Sequence, residues 1–218
     1  LNIPEYKWEK CLIIGHGDDV PIDPPPVDEN TLIIAADGGL IRAREWGLTP
    51  HWIVGDFDSV DFEAGCEVSQ ERVIVHPVEK DKTDLELAVD YALGLGAAEI
   101  VMTGVWGGRP DHSLGNIELL YKLANLQIKA WMITSGAHLH LAGRELQLKL
   151  PVGTTVSLLP LSEVVKGVTT SGLYYPLHNA VIRKGSTRTI SNKTMTACVE
   201  IRCEEGVLLV VVITKDPR

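Results

Sequence analysis

The sequence predicts an α/β domain, a mostly parallel sheet with flanking helices, followed by a small antiparallel β-sandwich. Three observations predict it. Short, continuous apolar runs alternate with helical stretches over the first two-thirds of the 218 residues, as expected for a parallel sheet covered on both faces. From about residue 138 the chain alternates polar and apolar residues instead. Glycines at 143, 153, 172, 185 and 206 then punctuate the runs, and no helical period is found there. The division falls after residue 136, giving domains 1–136 and 137–218.

In the first domain, Cys11–Gly15, Thr31–Ala36, Trp52–Val54, Glu99–Thr103 and Ile128–Thr134 read as strands. Pro21 and Pro24–Pro26 make a rigid loop after the first. Leu40, Ala43 and Trp46 form a short helical stripe, stopped by Gly47 and Pro50. Leu85, Ala88, Val89 and Ala92 follow the i, i+3, i+4, i+7 pattern. Thr83 and Glu86 make a capping box at that helix's start, and Gly94 and Gly96 mark its end. Leu114, Ile117, Tyr121 and Ala124 form a further stripe. This alternation is Rossmann-like. In the second domain the strands are expected at His138–Leu141, Glu145–Leu150, Thr155–Pro160, Val164–Thr169, Asn179–Arg183, Cys198–Cys203 and Leu208–Thr214.

Hydrophobic residues make up 45% and charged residues 22%, which is an ordinary globular composition. A net charge of −9 argues against a nucleic-acid partner, which calls for a basic face. No apolar run is long enough to span a bilayer and no signal-peptide core is seen, so no membrane partner and a cytoplasmic location are expected. Cys11, Cys66, Cys198 and Cys203 form no C-x-x-C pair and read as buried free thiols, with Cys198 and Cys203 facing opposite sides of their strand.

The chemistry-bearing residues fall in loops after strands, the ligand side of a parallel sheet. Gly55–Asp56–Phe57–Asp58–Ser59 follows an apolar run. Two carboxylates at i, i+2 in an extended loop repel unless a divalent cation lies between them, and hard oxygen ligands suit magnesium. Lys80–Asp81–Lys82–Thr83–Asp84–Leu85–Glu86 opens the best-defined helix. It offers Asp81 and Asp84 to a metal and Lys80 and Lys82 to phosphate, although Asp84 is also what any helix start favours. Gly107–Gly108–Arg109–Pro110–Asp111–His112–Ser113–Leu114–Gly115–Asn116 supplies a close-approach backbone, a bidentate anion donor and proton-handling groups. Asp37–Gly38–Gly39 is a weaker signal: Asp37 could bind a ribose hydroxyl or cap a helix. Gly15–His16–Gly17 is weaker still. Together the strings converge on a nucleotide–magnesium site, where the cation reconciles an acidic chain with a phosphate ligand.

In this order and spacing, the strings resemble the thiamin pyrophosphokinase family, with Thr170–Ser171–Gly172–Leu173 and Ser191–Asn192 extending the resemblance into the tail. The resemblance implies an enzyme that transfers the pyrophosphoryl group of ATP to the hydroxyl of thiamin. It implies a homodimer with the thiamin site at the subunit interface. Carried over by motif, Asp56, Asp58 and Asp84 would hold Mg2+, with Asp81 assisting. Asp37, Gly38, Lys82, Arg109, His112 and Asn116 would contact ATP. Asp111 would orient or deprotonate the thiamin hydroxyl, and Ser191 and Asn192 would line the thiamin pocket. Tyr175 stands where some members carry Trp, and a tyrosine can also stack on a flat heteroaromatic cation. Lys193–Thr194 departs from the acidic and aromatic pair expected after Ser191–Asn192. Three other readings compete: a pyrophosphokinase of another alcohol such as a hydroxymethylpterin, a non-catalytic sensor of ATP or thiamin diphosphate, and a metal-dependent phosphohydrolase.

Overall fold

Six parallel strands organise the first of two compact units in the structure, a computed structural model that describes residues 8–55, 72–75 and 81–215. That unit comprises residues up to Leu119 together with Ile128–Thr134, and the second comprises Leu120–Gln127 and residues from Ser135 onward.

The elements up to residue 134 are β1 (Lys10–Ile14), β2 (Thr31–Ala36), α1 (Gly39–Glu45), β3 (Trp52–Gly55), β4 (Val73–Val75), α2 (Asp84–Gly94), β5 (Glu99–Thr103), α3 (Pro110–Asn125) and β6 (Lys129–Ile133), with α3 from Leu120 onward counted in the second unit. Among the described residues the strands lie in the order β6-β5-β1-β2-β3-β4, each neighbouring pair parallel. β1 is flanked by β2 on one side and β5 on the other, with Ile13 in register with both Ile34 and Met102. The chain therefore reverses its winding direction between β1 and β5, the place where ligand crevices form in such sheets. The central strands are apolar throughout because both faces are covered: all six residues of β2 are buried. Each fully buried Leu or Ile, such as Leu12 or Ile34, contributes about 2 kcal/mol on removal from water.

The helices follow the sequence pattern unevenly. α2 buries Leu85, Ala88, Val89 and Ala92, and its Thr83 hydroxyl accepts from the Glu86 N–H at 3.2 Å. In α3 the expected stripe is displaced. Leu114 is 64% exposed, whereas Ser113, Asn116, Leu120 and Leu123 are buried. The cause is polar: the Asn116 amide donates to the Val105 carbonyl at 2.6 Å, and Ser113 Oγ donates to the Arg109 carbonyl while accepting from Gly107 N–H. These bonds hold one helical face inward, and Leu114 must then point out. β4 is a strand the sequence reading lacked, three residues with little periodicity to show.

The second unit contributes two antiparallel layers of four strands each among its described residues. One has the order β12-β9-β14-β7, formed by β7 (Ala137–Ala142), β9 (Thr155–Pro160), β12 (Asn192–Lys193) and β14 (Leu208–Ile213). The other has the order β11-β10-β13-β8, formed by β8 (Glu145–Lys149), β10 (Val164–Ser171), β11 (Ala180–Arg183) and β13 (Cys198–Arg202). One apolar cluster is shared by both sheets: Val156, Leu158, Val210 and Val212 from the first meet Val165, Val168, Val199 and Ile201 from the second. All seven expected strands are present, and the two-residue β12 is an addition. Cys11 and Cys203 are buried free thiols, but Cys198 is exposed, which corrects the expectation of burial; Cys66 lies outside the described residues. Among the described residues, no helix is long and apolar enough to cross a membrane.

Candidate active site

The loops that follow β1 and β5 are zipped together by their own backbones. Gly15 N–H donates to Thr103 O at 2.8 Å, Gly17 N–H to Gly104 O at 2.6 Å, and Asp19 N–H to Trp106 O at 3.1 Å. Only glycine permits this approach: a Cβ on Gly15 would strike the Gly104 carbonyl oxygen, and one on Gly104 would strike that of Gly15. The zipper forms one wall of a cavity of about 440 Å³ at the carboxyl edge of the parallel sheet.

β2 supplies the next wall. Asp37 lines the cavity with φ 49°, its N–H held by Val54 O at 2.8 Å. Its Oδ1 is buried and has no hydrogen-bond partner among the described residues. A buried carboxylate oxygen in that state calls for a donor or a cation from a ligand. Gly38 packs its Cα under the His16 imidazole, where any side chain would collide with the ring. Gly55, the residue before Asp56, fits less tightly: a Cβ there would lie 3.1 Å from Asp37 Cα.

The remaining walls are helix starts. Thr83, Asp84 and Leu85 enter at the beginning of α2, and Arg109, His112 and Asn116 at the beginning of α3. Arg109 is paired with Asp111 through Nε to Oδ1 at 3.2 Å and Nη2 to Oδ2 at 2.5 Å. That bonding holds the Asp111 carboxyl below its ordinary range and raises Arg109.

The cavity thus gathers Asp37, Asp84, Arg109, His112 and Asn116 of the expected site, with Gly38 behind its wall. Asp111 is 63% exposed and reaches it only through Arg109. Lys82 is turned onto Asp90, Nζ to Oδ2 2.6 Å, and Asp81 is exposed at the approach to α2; neither lines the cavity. Asp56, Asp58 and Lys80 lie outside the described residues. Among the described residues no three metal-ligating side chains cluster. The oxygen-only donor set still fits a hard cation, with Asp37 Oδ1 lacking a partner and Asp84 on the same cavity. Gly15–His16–Gly17, the weakest of the sequence signals, also lines the cavity, together with Asp18, which sequence reasoning missed. Asp18 closely follows a buried strand, but no motif marks it.

The three residues expected near thiamin belong to the second unit. Tyr175 is 68% exposed, and its ring stands edge-on to Tyr174 with centroids 4.7 Å apart. Asn192 is buried and bonded to the Tyr175 backbone in both directions, accepting at 3.0 Å and donating at 2.8 Å. Ser191 has φ 59° and donates its N–H to Ser157 Oγ at 2.9 Å.

Known proteins share both units. Residues 26–132 match "Thiamin pyrophosphokinase, catalytic domain", and residues 144–208 match "Thiamin pyrophosphokinase, vitamin B1 binding domain". The chain belongs to the thiamin pyrophosphokinase family. A curated relative, the thiamine pyrophosphokinase of Bacillus subtilis, is 35% identical over 188 residues, covering 84% of this chain and 88% of that one. The solved structure of thiamine pyrophosphokinase from Bacillus subtilis superimposes with a TM-score of 0.85 at 32% identity, over 95% of this chain and 100% of that chain. That of thiamin pyrophosphokinase from Geobacillus thermodenitrificans gives 0.80 at 31% identity, over 95% and 99%. The family consists of enzymes, and the cavity residues from Ala36 to Asn116 fall within the catalytic-domain match, while Gly15–Asp18 precede it.

Proposed function

We propose that this chain transfers the pyrophosphoryl group of ATP to the hydroxyl of thiamin, releasing thiamin diphosphate and AMP. The observation that carries the proposal is the cavity at the β1–β5 crossover, where Asp37, Asp84, Arg109 and Asn116 converge in a chain of this family. Asp56, Asp58 and Asp84, assisted by Asp81, would hold Mg2+. The cation supplies charge neutralisation on the phosphates when bound.

Around the nucleotide, Arg109 offers a planar pair of donors to phosphate, and Lys82 exchanges Asp90 for the same charge. Asp37 accepts from a ribose hydroxyl, and the glycine zipper keeps side chains out of the cavity. His112 donates from the first turn of α3, while Asn116 holds the Val105 carbonyl and so fixes the loop. Asp111 is a weak base because Arg109 favours its ionised form, so it orients the attacking hydroxyl rather than capturing its proton. The rate enhancement then rests on positioning and charge neutralisation. Tyr175, Ser191 and Asn192 form the thiamin pocket, at the interface of a homodimer located in the cytoplasm.

The test is to supply ATP, Mg2+ and thiamin to the purified protein and to follow AMP and thiamin diphosphate chromatographically. Equal amounts of both are expected, with neither formed without thiamin or with chelator. AMP formed with hydroxymethylpterin but not thiamin would overturn the acceptor, and ATP consumed without any acceptor would indicate a hydrolase. Tight binding without AMP release would indicate a sensor. Light scattering on a sizing column is expected to give twice the mass of one 23.8 kDa chain.

A further inference from the structure

We infer that Asn192 acts on thiamin through Tyr175: it is a positioning residue, and its amide oxygen has no capacity left for the ligand. This inference rests on the reading that the second unit binds thiamin with Tyr175 in its pocket.

The segment from Gly172 to Tyr175 runs antiparallel to the segment from Asn192 to Met195. Leu173 bridges Thr194, Tyr174 N–H donates to Lys193 O at 2.8 Å, and Met195 N–H donates to Gly172 O at 2.7 Å. In this register Tyr175 stands opposite Asn192 at a non-hydrogen-bonded position, where the ladder itself gives its N–H and C=O no partner. Ser191 sits in the left-handed region at φ 59°, and the Asn192 backbone pairs instead with Val156 of β9.

The Asn192 side chain supplies those partners. A carboxamide has the same donor and acceptor as a peptide group, and here it presents both to one residue. Tyr175 N–H donates to Oδ1 at 3.0 Å, and Nδ2 donates to Tyr175 O at 2.8 Å. Oδ1 also accepts Lys193 N–H at 2.8 Å. The oxygen's two lone pairs are both used, and one of the two amide hydrogens is committed. At 9% exposure the amide has little surface to offer a ligand. The residues it holds have the opposite character: Tyr174 and Tyr175 are 59% and 68% exposed, with rings at 88° to each other. The clamp therefore presents a fixed aromatic corner, whose edge-on rings suit a flat cationic heterocycle. Without it, Tyr175 would lose its backbone anchor and spend binding energy on ordering.

The experiment is a double-mutant cycle on the full chain, reading KM for thiamin, KM for ATP and kcat for the wild type, Asn192→Ala, Tyr175→Ala and the double variant. Asn192→Ala is expected to raise the thiamin KM about tenfold and leave the ATP KM unchanged, which also reports that the variant is folded. In the Tyr175→Ala background the same change is expected to add less than about twofold. Asn192→Asp keeps the acceptor and loses the donor, so it falls between wild type and Asn192→Ala and serves if the alanine variant does not fold. Independent, multiplying effects in the double variant would mean that Asn192 touches thiamin directly, and would overturn the inference. An unchanged thiamin KM in Asn192→Ala would overturn it as well. If the unaltered chain makes no AMP with thiamin, the functional reading itself fails, a result distinct from either of these.

Discussion

The Arg109 guanidinium and the Asp111 carboxylate meet through two hydrogen bonds across the first turn of α3. Asp111 is thereby held in its ionised form below the ordinary carboxyl range. A depressed folded-state pKa means that the pair's contribution is present above the ordinary carboxyl pKa and is lost as pH falls through the lowered value. Asp111 should therefore place no limb on the rate profile between about pH 6 and 8. Asp111→Asn is expected to lower kcat while leaving the shape of that profile unchanged. A neutral-pH limb that disappears in the variant would restore Asp111 as a proton acceptor.

The glycine zipper gives a stability prediction. In Gly15→Ala the new methyl would strike the Gly104 carbonyl, and Gly104→Ala adds a backbone cost at φ 64°. Each should destabilise by about 3 kcal/mol or more, read by urea denaturation. Gly94→Ala, where nothing lies within 4 Å, should show no loss.

Rotation of α3 away from its expected stripe can be tested by exchange. Leu114→Ser, at a 64% exposed position, should change stability by less than about 0.5 kcal/mol. Leu120→Ala, at a fully buried position, should cost about 3 kcal/mol. The reverse outcome would return the helix to the stripe read from the sequence.

His51 gives a pH dependence of folding. Its Nδ1 accepts the Ile33 N–H at 3.0 Å, which requires an unprotonated nitrogen, and burial followed by Arg72 pushes its pKa below 6.5. The unfolded chain then binds more protons than the folded one between the lowered value and 6.5, so stability rises with pH through that window and levels off above it. His51→Gln should flatten this part of the curve, measured as thermal midpoint against pH.

The metal reading is tested at residues known here only from the motif. Asp56→Asn should reduce turnover at least about a hundredfold and raise the magnesium needed for half-maximal rate. Near-normal turnover at low magnesium would remove Asp56 from the site.

Some parts of the molecule are legible because they depend on neighbours in the chain. The α2 cap needs only Thr83 and Glu86, and its buried face needs only a 3.6-residue period. The sandwich strands announce themselves by alternation. α3 was misread for the opposite reason: Ser113 and Asn116 look like surface residues until the carbonyls of Arg109 and Val105 are brought beside them. His16 ranked as a weak signal and Asp18 was passed over because a histidine and an aspartate after a strand have no spacing rule of their own.

By itself, then, the sequence determined the two architectures, the loops that carry acid, glycine and base, and the family to which those loops belong. Each is a matter of local pattern and order. Tertiary structure alone decided that Asp37 Oδ1 is left without a partner among the described residues, that Lys82 is paired with Asp90, and that the Asn192 amide is bonded to Tyr175. Those are questions of which donors and acceptors meet across many residues. A hydrogen bond depends on separations of a fraction of an ångström, which no one-dimensional pattern records.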